Sequence, residues 1–344
     1  ARDPAASLLQ PWQQRLRAEG GQGVAAFEEA QLHRSVGHAE RGIVRTARAR
    51  VRRGGAGGCH RSLRFYGSGG IIPRFQDLQL TRSTPLPQAI GRPAPRVGPD
   101  MTITPKTAAE IEGMRVAGRL ASEVLDMLTP HVRAGITTLE IDRLAHDYMV
   151  NVQGGVPATL GYQPPGYPAY PASLCSSLND VVCHGIPDDR PLKNGDIVNI
   201  DVTVIKDGWH GDNSRMYIIG EGSIAARRLC AVTFDAMWKG IVKVRPGARL
   251  GDIGHAIQTF AENAGFSVVR EFCGHGVGRR FHEEPQVLHY GRPNTLEELV
   301  PGMIFTIEPM INAGRRDIKE DRKGNRPYDG WTIVTRDRSL SAQW

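Results

Sequence analysis

The spacing of hydrophobic positions changes near residue 104. From there, "TPKTAAEIEGMRVAGRLASEVLDML" sets Ile111, Met114, Ala117, Leu120, Val124 and Leu128 three or four residues apart, which predicts a long amphipathic helix after the Thr104-Pro105 start. "TTLEIDRLAHDYMV" (137–150) predicts a second helix. Runs rich in Val, Ile, Thr and Phe predict strands over 197–205, 214–219, 266–272 and 303–311. Helices and strands mix without a strict βαβ rhythm, so the expected class is α+β rather than a doubly wound parallel sheet.

Ahead of that boundary the pattern fades. Residues 1–100 are Arg-, Gly- and Pro-rich, as in "RTARARVRRGGAGGCHRSLRFYGSGG", and segments this polar rarely bury enough surface to offset their chain entropy. The expected organisation is an extension without a fold over 1–100 and a folded domain over 101–344, with Met101 as the natural start. A mitochondrial transit peptide is the alternative for the Arg-rich, Lys-free segment, with Glu28, Glu29 and Glu40 counting against it.

Charge follows the same division. The chain's +7 would suggest a nucleic-acid or membrane partner, but residues 1–100 alone hold 16 Arg against 7 acids. The remainder has 27 basic and 29 acidic residues, as in an ordinary soluble domain with neither partner. Five cysteines (Cys59, Cys175, Cys183, Cys230 and Cys273) form no C-x-x-C pair, which points to a reducing, cytoplasmic setting. No apolar run approaches 18 residues, and no secretory signal core opens the chain.

An internal echo organises the folded part. "HVRAGITTLEIDRLAHDYM" (131–149) resembles "KVRPGARLGDIGHAIQTFA" (243–261), and "LKNGDIVNIDV" (192–202) resembles "LVPGMIFTIEP" (299–309). Two matches in the same order predict a duplicated helix-then-strand unit, with Asp201 and Glu308 at equivalent points.

Asp201 sits in the middle of a strand-like run, and Asp212 follows beyond a Lys206–Gly208 turn. A hairpin there with an even-numbered loop puts both carboxylates on one face, directly opposite or on a diagonal. Two carboxylates so placed repel unless a proton or a cation lies between them. A lone strand Asp is more often an edge residue or a turn cap; the pair, echoed by Glu308, favours metal. Histidines in "VVCHGIP" (His184) and "FCGHGVGRRFHEEP" (His275, His282) add imidazoles, and Gly-flanked His275 reads as a ligand or reacting group whose backbone is closely approached. This donor set suits Mn, Fe, Co or Zn, and two ions sharing carboxylates typically lie about 3.5–4 Å apart. Gln286 stands where a second zincin histidine would be, which excludes that motif. A Cys183–His184 thiol nucleophile is the weaker alternative.

"NDVVCHGIPDD", "GDIVNIDVTVIKDGWHGDNSRM", "CGHGVGRRFHEEPQVLHY", "MIFTIEPMINAG" and "DGWTIVTRDRSLSAQ" together resemble type I methionine aminopeptidases of the bacterial kind, over roughly Met101 to Trp344. The resemblance implies the pita-bread fold, two pseudo-symmetric halves around a site for two divalent metal ions. It implies Asp201, Asp212, His275 and Glu308 as metal ligands, with Glu308 also handling a water proton. It places His184 and His282 at the scissile amide, and Tyr170, Cys175, Phe281 and Trp331 around the methionine side chain. The "GYQPPGYPAYPASLC" stretch is longer than the family's usual version. In the family a further ligand glutamate follows the "SLSAQ" motif and an aromatic residue, so the chain ending at Trp344 is expected to be a fragment lacking that ligand, with its activity in doubt.

The implied function is removal of the N-terminal methionine from nascent polypeptides when the second residue is small, by a monomer, with the ribosome as a candidate partner. Other pita-bread peptidases, prolidase or proline aminopeptidase, share the Asp-x10-Asp spacing and remain an alternative. So does a non-catalytic binding protein of the same fold. RNA binding through residues 1–100 lacks interleaved aromatics.

Overall fold

A computed structural model describes residues 102–321 and 329–344. The extension expected over 1–100 lies outside the described residues, as does Cys59. No helix among the described residues is long and apolar enough to cross a membrane.

Helix α1 (Ala108–Leu128) starts three residues later than the Thr104-Pro105 signal suggested. Lys106 donates its backbone N–H to the Gly302 carbonyl, which keeps the preceding segment extended. The helix begins at a capping box in which Thr107 accepts from the Glu110 N–H while the Glu110 carboxylate accepts from Thr107. Helix α2 (Thr138–Asp147) opens with the same device, Thr137 with Glu140, and continues into a single π turn, Tyr148–Val152. A short strand β1 (Val156–Pro157) follows, then β2 (Cys175–Leu178), β3 (Val181–Cys183), β4 (Ile197–Lys206) and β5 (Trp209–Ile218).

β4 and β5 form a hairpin closed by the two-residue turn Asp207–Gly208. Both residues have positive φ, +51° and +77°, as a type I′ turn requires. β5 takes one edge of β4, while β2 and β1 share the other, all antiparallel. Asp201 therefore lies on a central strand. The edge-strand and turn-cap readings of this residue do not apply.

The second half repeats the plan with α3 (Ile224–Ile241), α4 (Leu250–Asn263) and short strands β6 (Ser267–Val268), β7 (Gly274–Gly276), β8 (Glu283–Val287) and β9 (Met310–Asn312). β10 (Ile318–Glu320) and β11 (Ile333–Thr335) extend β3 into a three-stranded sheet, and β12 (Ser341–Gln343) pairs with β9. The internal echo is visible in hydrogen bonds. The Gly135 N–H donates to the Leu192 carbonyl and the Leu192 N–H to Ile136; Gly247, Leu299 and Ala248 repeat this at the equivalent positions. Gly195 and Gly302 turn at φ +98° and +93°.

The repeat is imperfect where it matters for the ladder. The strands predicted over 266–272 and 303–311 shrink to Ser267–Val268 and Met310–Asn312. Pro309 has no N–H to donate, and the Glu308 N–H goes to the His289 side chain instead of a strand.

Each half has its own core. Leu125, Leu128 and Ile141 pack on Val198, Ile200 and Val202 in the first, and Leu229, Ile253 and Ile257 on Val287 and Ile311 in the second. α1 presses on β5 at Gly211, where a Cβ would land on the Ala117 carbonyl. Asn199 on β4 donates to the Gln343 carbonyl on β12 at 2.8 Å, tying the halves together beside the acids.

Candidate metal centre and pocket

Register settles the geometry of the aspartates. Asp201 pairs with Ser214 and Asp212 with Thr203, so the two acids share one face on a diagonal. The Thr203 hydroxyl donates to Asp212 Oδ1 at 2.9 Å, fixing that carboxylate. β7 brings His275 across, its Nε2 lying 3.5 Å from both Asp212 Oδ2 and Glu308 Oε1. His275 Nδ1 lies 2.9 Å from the Gly276 carbonyl, the contact that leaves Nε2 with a free lone pair when Nδ1 carries the proton. Glu308 accepts from Thr306 Oγ1 at 2.6 Å and from Gln343 Nε2 at 3.1 Å, and its N–H donates to His289.

The glycines beside His275 serve packing rather than a ligand's approach. A Cβ at Gly274 would land on the Thr306 carbonyl, and one at Gly276 on the Glu284 carbonyl.

The charges here are costly. Asp212, His275 and Glu308 expose only 12%, 13% and 21% of their side chains. No Lys or Arg among the described residues is ion-paired with Asp201, Asp212 or Glu308; the imidazole of His275 lies against Asp212 and Glu308. Burial, then the neighbouring Asp212 and Glu308, holds Asp201 well above the usual carboxylate range. Burial also raises Asp212, against the pull of His275 and Thr203. For Glu308, burial, opposed by His275 and reinforced by Asp212, lifts the carboxyl to about 7. Three enclosed acids with one imidazole need either protons or divalent cations. Among the described residues no three such donors already converge on one point, since His275 rests against the carboxylates themselves. The donor chemistry, two aspartates, a glutamate and an imidazole whose other nitrogen is anchored, fits a divalent metal.

Nine of the ten residues singled out in the sequence line one cavity of about 370 Å3; the tenth, Trp331, touches it through ring contacts with Tyr170 and His184. Tyr170 is buried, its hydroxyl donating to the Gly185 carbonyl, and Cys175 lies opposite Asp201 in register. Phe281 stacks on His282. Burial pushes His184 down to about 4, and burial with the surrounding imidazoles pushes His282 down to about 2, so both rings are neutral. The Cys183 thiol is pushed up by burial, which disposes of a thiolate nucleophile.

Sequence reasoning missed four contributors. Tyr162 places its hydroxyl 2.8 Å from His282 Nδ1, and His289, fully buried and pushed down to about 3 by burial, holds the Glu308 backbone. Thr203 and Thr306 steer the carboxylates. Thr203 stands two residues from Asp201 on the same face of β4, a signal the period-two rule offers, whereas Thr306 and Glu308 lie ahead of β9, where that rule does not apply. The reach of Tyr162 across 120 residues has no local signal.

The sequence matches the model of metallopeptidase family M24 over residues 112–334, and the chain belongs to that family. It is 57% identical over 245 residues to methionine aminopeptidase of Escherichia coli (strain K12), covering 71% of this chain and 89% of the relative. The solved methionine aminopeptidase of Rickettsia prowazekii is similar at 53% identity and a TM-score of 0.66, over 70% of this chain and 93% of that one. A solved Xaa-Pro dipeptidase from Bacillus anthracis shares the fold at 19% identity and a TM-score of 0.51, over 70% of this chain and 59% of that one. The architecture is the expected pita-bread fold.

Proposed function

We propose that this metallopeptidase removes the N-terminal methionine from polypeptides whose second residue is small. The observation that carries the reading is the joining of Asp201, Asp212, His275 and Glu308 with an aromatic, largely apolar recess in one cavity. Identity with methionine aminopeptidases, against mere likeness of fold to an Xaa-Pro dipeptidase, favours it over the prolidase alternative.

Asp201, Asp212, His275 and Glu308 would hold two divalent ions, of Co, Mn, Fe or Zn. Such ions supply a water acidified toward neutrality and a polarised carbonyl. Glu308, anchored through both carboxylate oxygens, takes the water proton and returns it to the leaving amine. His282, with Nδ1 engaged by Tyr162, keeps Nε2 for the substrate carbonyl. His184, a neutral imidazole lining the same cavity, serves the amide. Tyr170, Cys175, Phe281 and Trp331 offer the methionine side chain apolar and aromatic surface, which suits a thioether. Action on nascent chains, near the ribosome and in the cytoplasm as a monomer, belongs to the same proposal.

The test is release of free methionine from Met-Ala-Ser, against Met-Leu-Ser and Ala-Ala-Ser, with each metal in turn. Selective cleavage of Met-Ala-Ser is expected. Cleavage of an Ala-Pro peptide in its place would move the assignment to the prolidase class.

A further inference from the structure

Between Tyr162 and Tyr170 the chain makes a closed excursion, Gln163–Ala169, that the methionine-pocket residues themselves do not require. Its base is a pair of backbone bonds, Tyr170 N–H to the Tyr162 carbonyl at 2.9 Å and Gly161 N–H to the Tyr170 carbonyl at 2.8 Å. Inside it, the Tyr167 N–H donates to the Pro164 carbonyl, and Gln163 Nε2 donates to the Tyr167 carbonyl. Pro164, Pro165 and Pro168 restrict the backbone further. The far side is fastened where Trp331 Nε1 donates to the Pro168 carbonyl at 3.1 Å. Such a loop is held in one shape at three points.

What the loop presents is Tyr167. Its ring centroid lies 5.0 Å from that of Trp331, and Tyr162 and Tyr170 approach the same indole at 6.4 and 5.2 Å. Tyr167 is partly buried and lines the cavity that Asp201, His282 and Glu308 also line. Among the described residues no hydrogen bond engages its hydroxyl, so the structure uses the side chain for its ring. Three tyrosines around one tryptophan enclose the recess more fully than the two at the loop's base.

We infer that Tyr167, carried on the Gln163–Ala169 loop, is a specificity-determining residue that walls the side-chain pocket and selects a slim thioether over bulkier N-terminal side chains. The inference rests on the aminopeptidase reading. An aromatic wall held rigid before substrate arrives costs little ordering on binding. Aromatic and sulfur–aromatic contacts here act on a remote part of the substrate, alike in the ground and transition states. Their loss therefore appears in KM and leaves kcat nearly alone. Enclosure also excludes, so its loss admits larger groups.

The test compares the wild type, Tyr167→Ala, Tyr167→Leu and Tyr167→Phe on Met-, norleucyl-, Leu- and Phe-Ala-Ser peptides, with free methionine affinity measured separately by calorimetry. Tyr167→Ala should raise KM for the Met peptide about fivefold to tenfold with kcat within about twofold, and weaken free methionine by the same factor. The Met-over-Phe ratio of kcat/KM should fall by at least about tenfold, and Tyr167→Phe should recover most of it. If Tyr167→Ala does not fold, Tyr167→Leu carries the same comparison. An unchanged Met-over-Phe ratio in a folded variant overturns the inference. So does a change confined to the second residue of the peptide, which would place the loop beyond the scissile bond. A wild-type protein that releases no methionine sinks the aminopeptidase reading, and a shift in free methionine affinity in Tyr167→Ala reports on the wall regardless.

Discussion

Replacing Tyr162 by Phe removes one hydroxyl and keeps the ring that packs 5.0 Å from Phe281 and 6.4 Å from Trp331. The lost bond, 2.8 Å to His282 Nδ1, joins two neutral groups. Burial raises the Tyr162 phenol above its ordinary value, and His282 is pushed down to about 2 by burial and the neighbouring imidazoles. A neutral pair belongs at the modest end of hydrogen-bond energies, about 1 kcal/mol net. The enclosed imidazole left without a partner adds about 1 kcal/mol, so the variant should be about 1–2 kcal/mol less stable. In the tautomer in which Tyr162 donates to Nδ1, the proton of His282 sits on Nε2, the nitrogen left for substrate. Without the phenol the two tautomers compete, and losing a bias of about 1 kcal/mol takes the competent tautomer from about 85% to about half of the population, a roughly twofold fall in kcat. KM should change little, because the tautomer matters most as charge develops on the carbonyl. Steady-state kinetics on Met-Ala-Ser together with thermal melts decide the point. An unchanged kcat with a raised KM would show that Tyr162 only lines the pocket, and the tautomer argument would fail.

Three further outcomes follow from the packing and the charges. Gly211→Ala drives a methyl into the Ala117 carbonyl of α1, beside Asp212, and should cost about 1–3 kcal/mol in a denaturant titration; a neutral result would mean that α1 slides freely over β5. Lys106→Met leaves the Glu283 carboxylate, paired at 2.6 Å and 18% exposed, without its cation, and should cost about 1–3 kcal/mol, largely recovered in the double variant with Glu283→Gln. Asp337 is held down to about 2 by the Arg315 N–H and by Ser339; because its folded value lies below the unfolded one near 3.9, its contribution is complete above about pH 4 and is lost as the pH falls toward 2. Asp337→Asn should therefore flatten the acid limb of the melting curve over that window, and an identical limb would show the carboxylate to be idle.

The elements with strong local signals were legible in the sequence. α1, α2 and β4 follow their periodicities within a few residues, and the duplicated Gly135/Gly247 units proved to be the same hydrogen-bonded corner. Composition predicts β5 only from 214 although it begins at Trp209, because its first residues answer to demands other than strand propensity. Gly211 is there for the approach of α1, and Asp212 for the acid cluster. The second-half strands were overread for the opposite reason. Their apolar composition is that of a strand, but Pro309 breaks the ladder and His289 captures the Glu308 N–H. That Asp201, Asp212, His275 and Glu308 line one cavity was legible because a carboxylate inside a strand-like run asks for a neutralising partner, and the hairpin and the repeat supply the others. Tyr162, His289 and Tyr167 were not, since an aromatic or imidazole recruited through the fold leaves no spacing to read.

The central claim is that the acids of β4 and β5, with His275 and Glu308, exist to hold divalent metal. Asp201→Asn removes one charge with almost no change of shape, from a cluster in which Asp201 is itself destabilised by burial and by Asp212 and Glu308. Metal titration calorimetry on the folded variant, beside the wild type at neutral pH, is the most direct measurement. The metal-free variant should melt no lower than the wild type, bind divalent metal at least about 10–100-fold more weakly, and release no methionine. A variant that bound metal with wild-type affinity and stoichiometry would contradict the account.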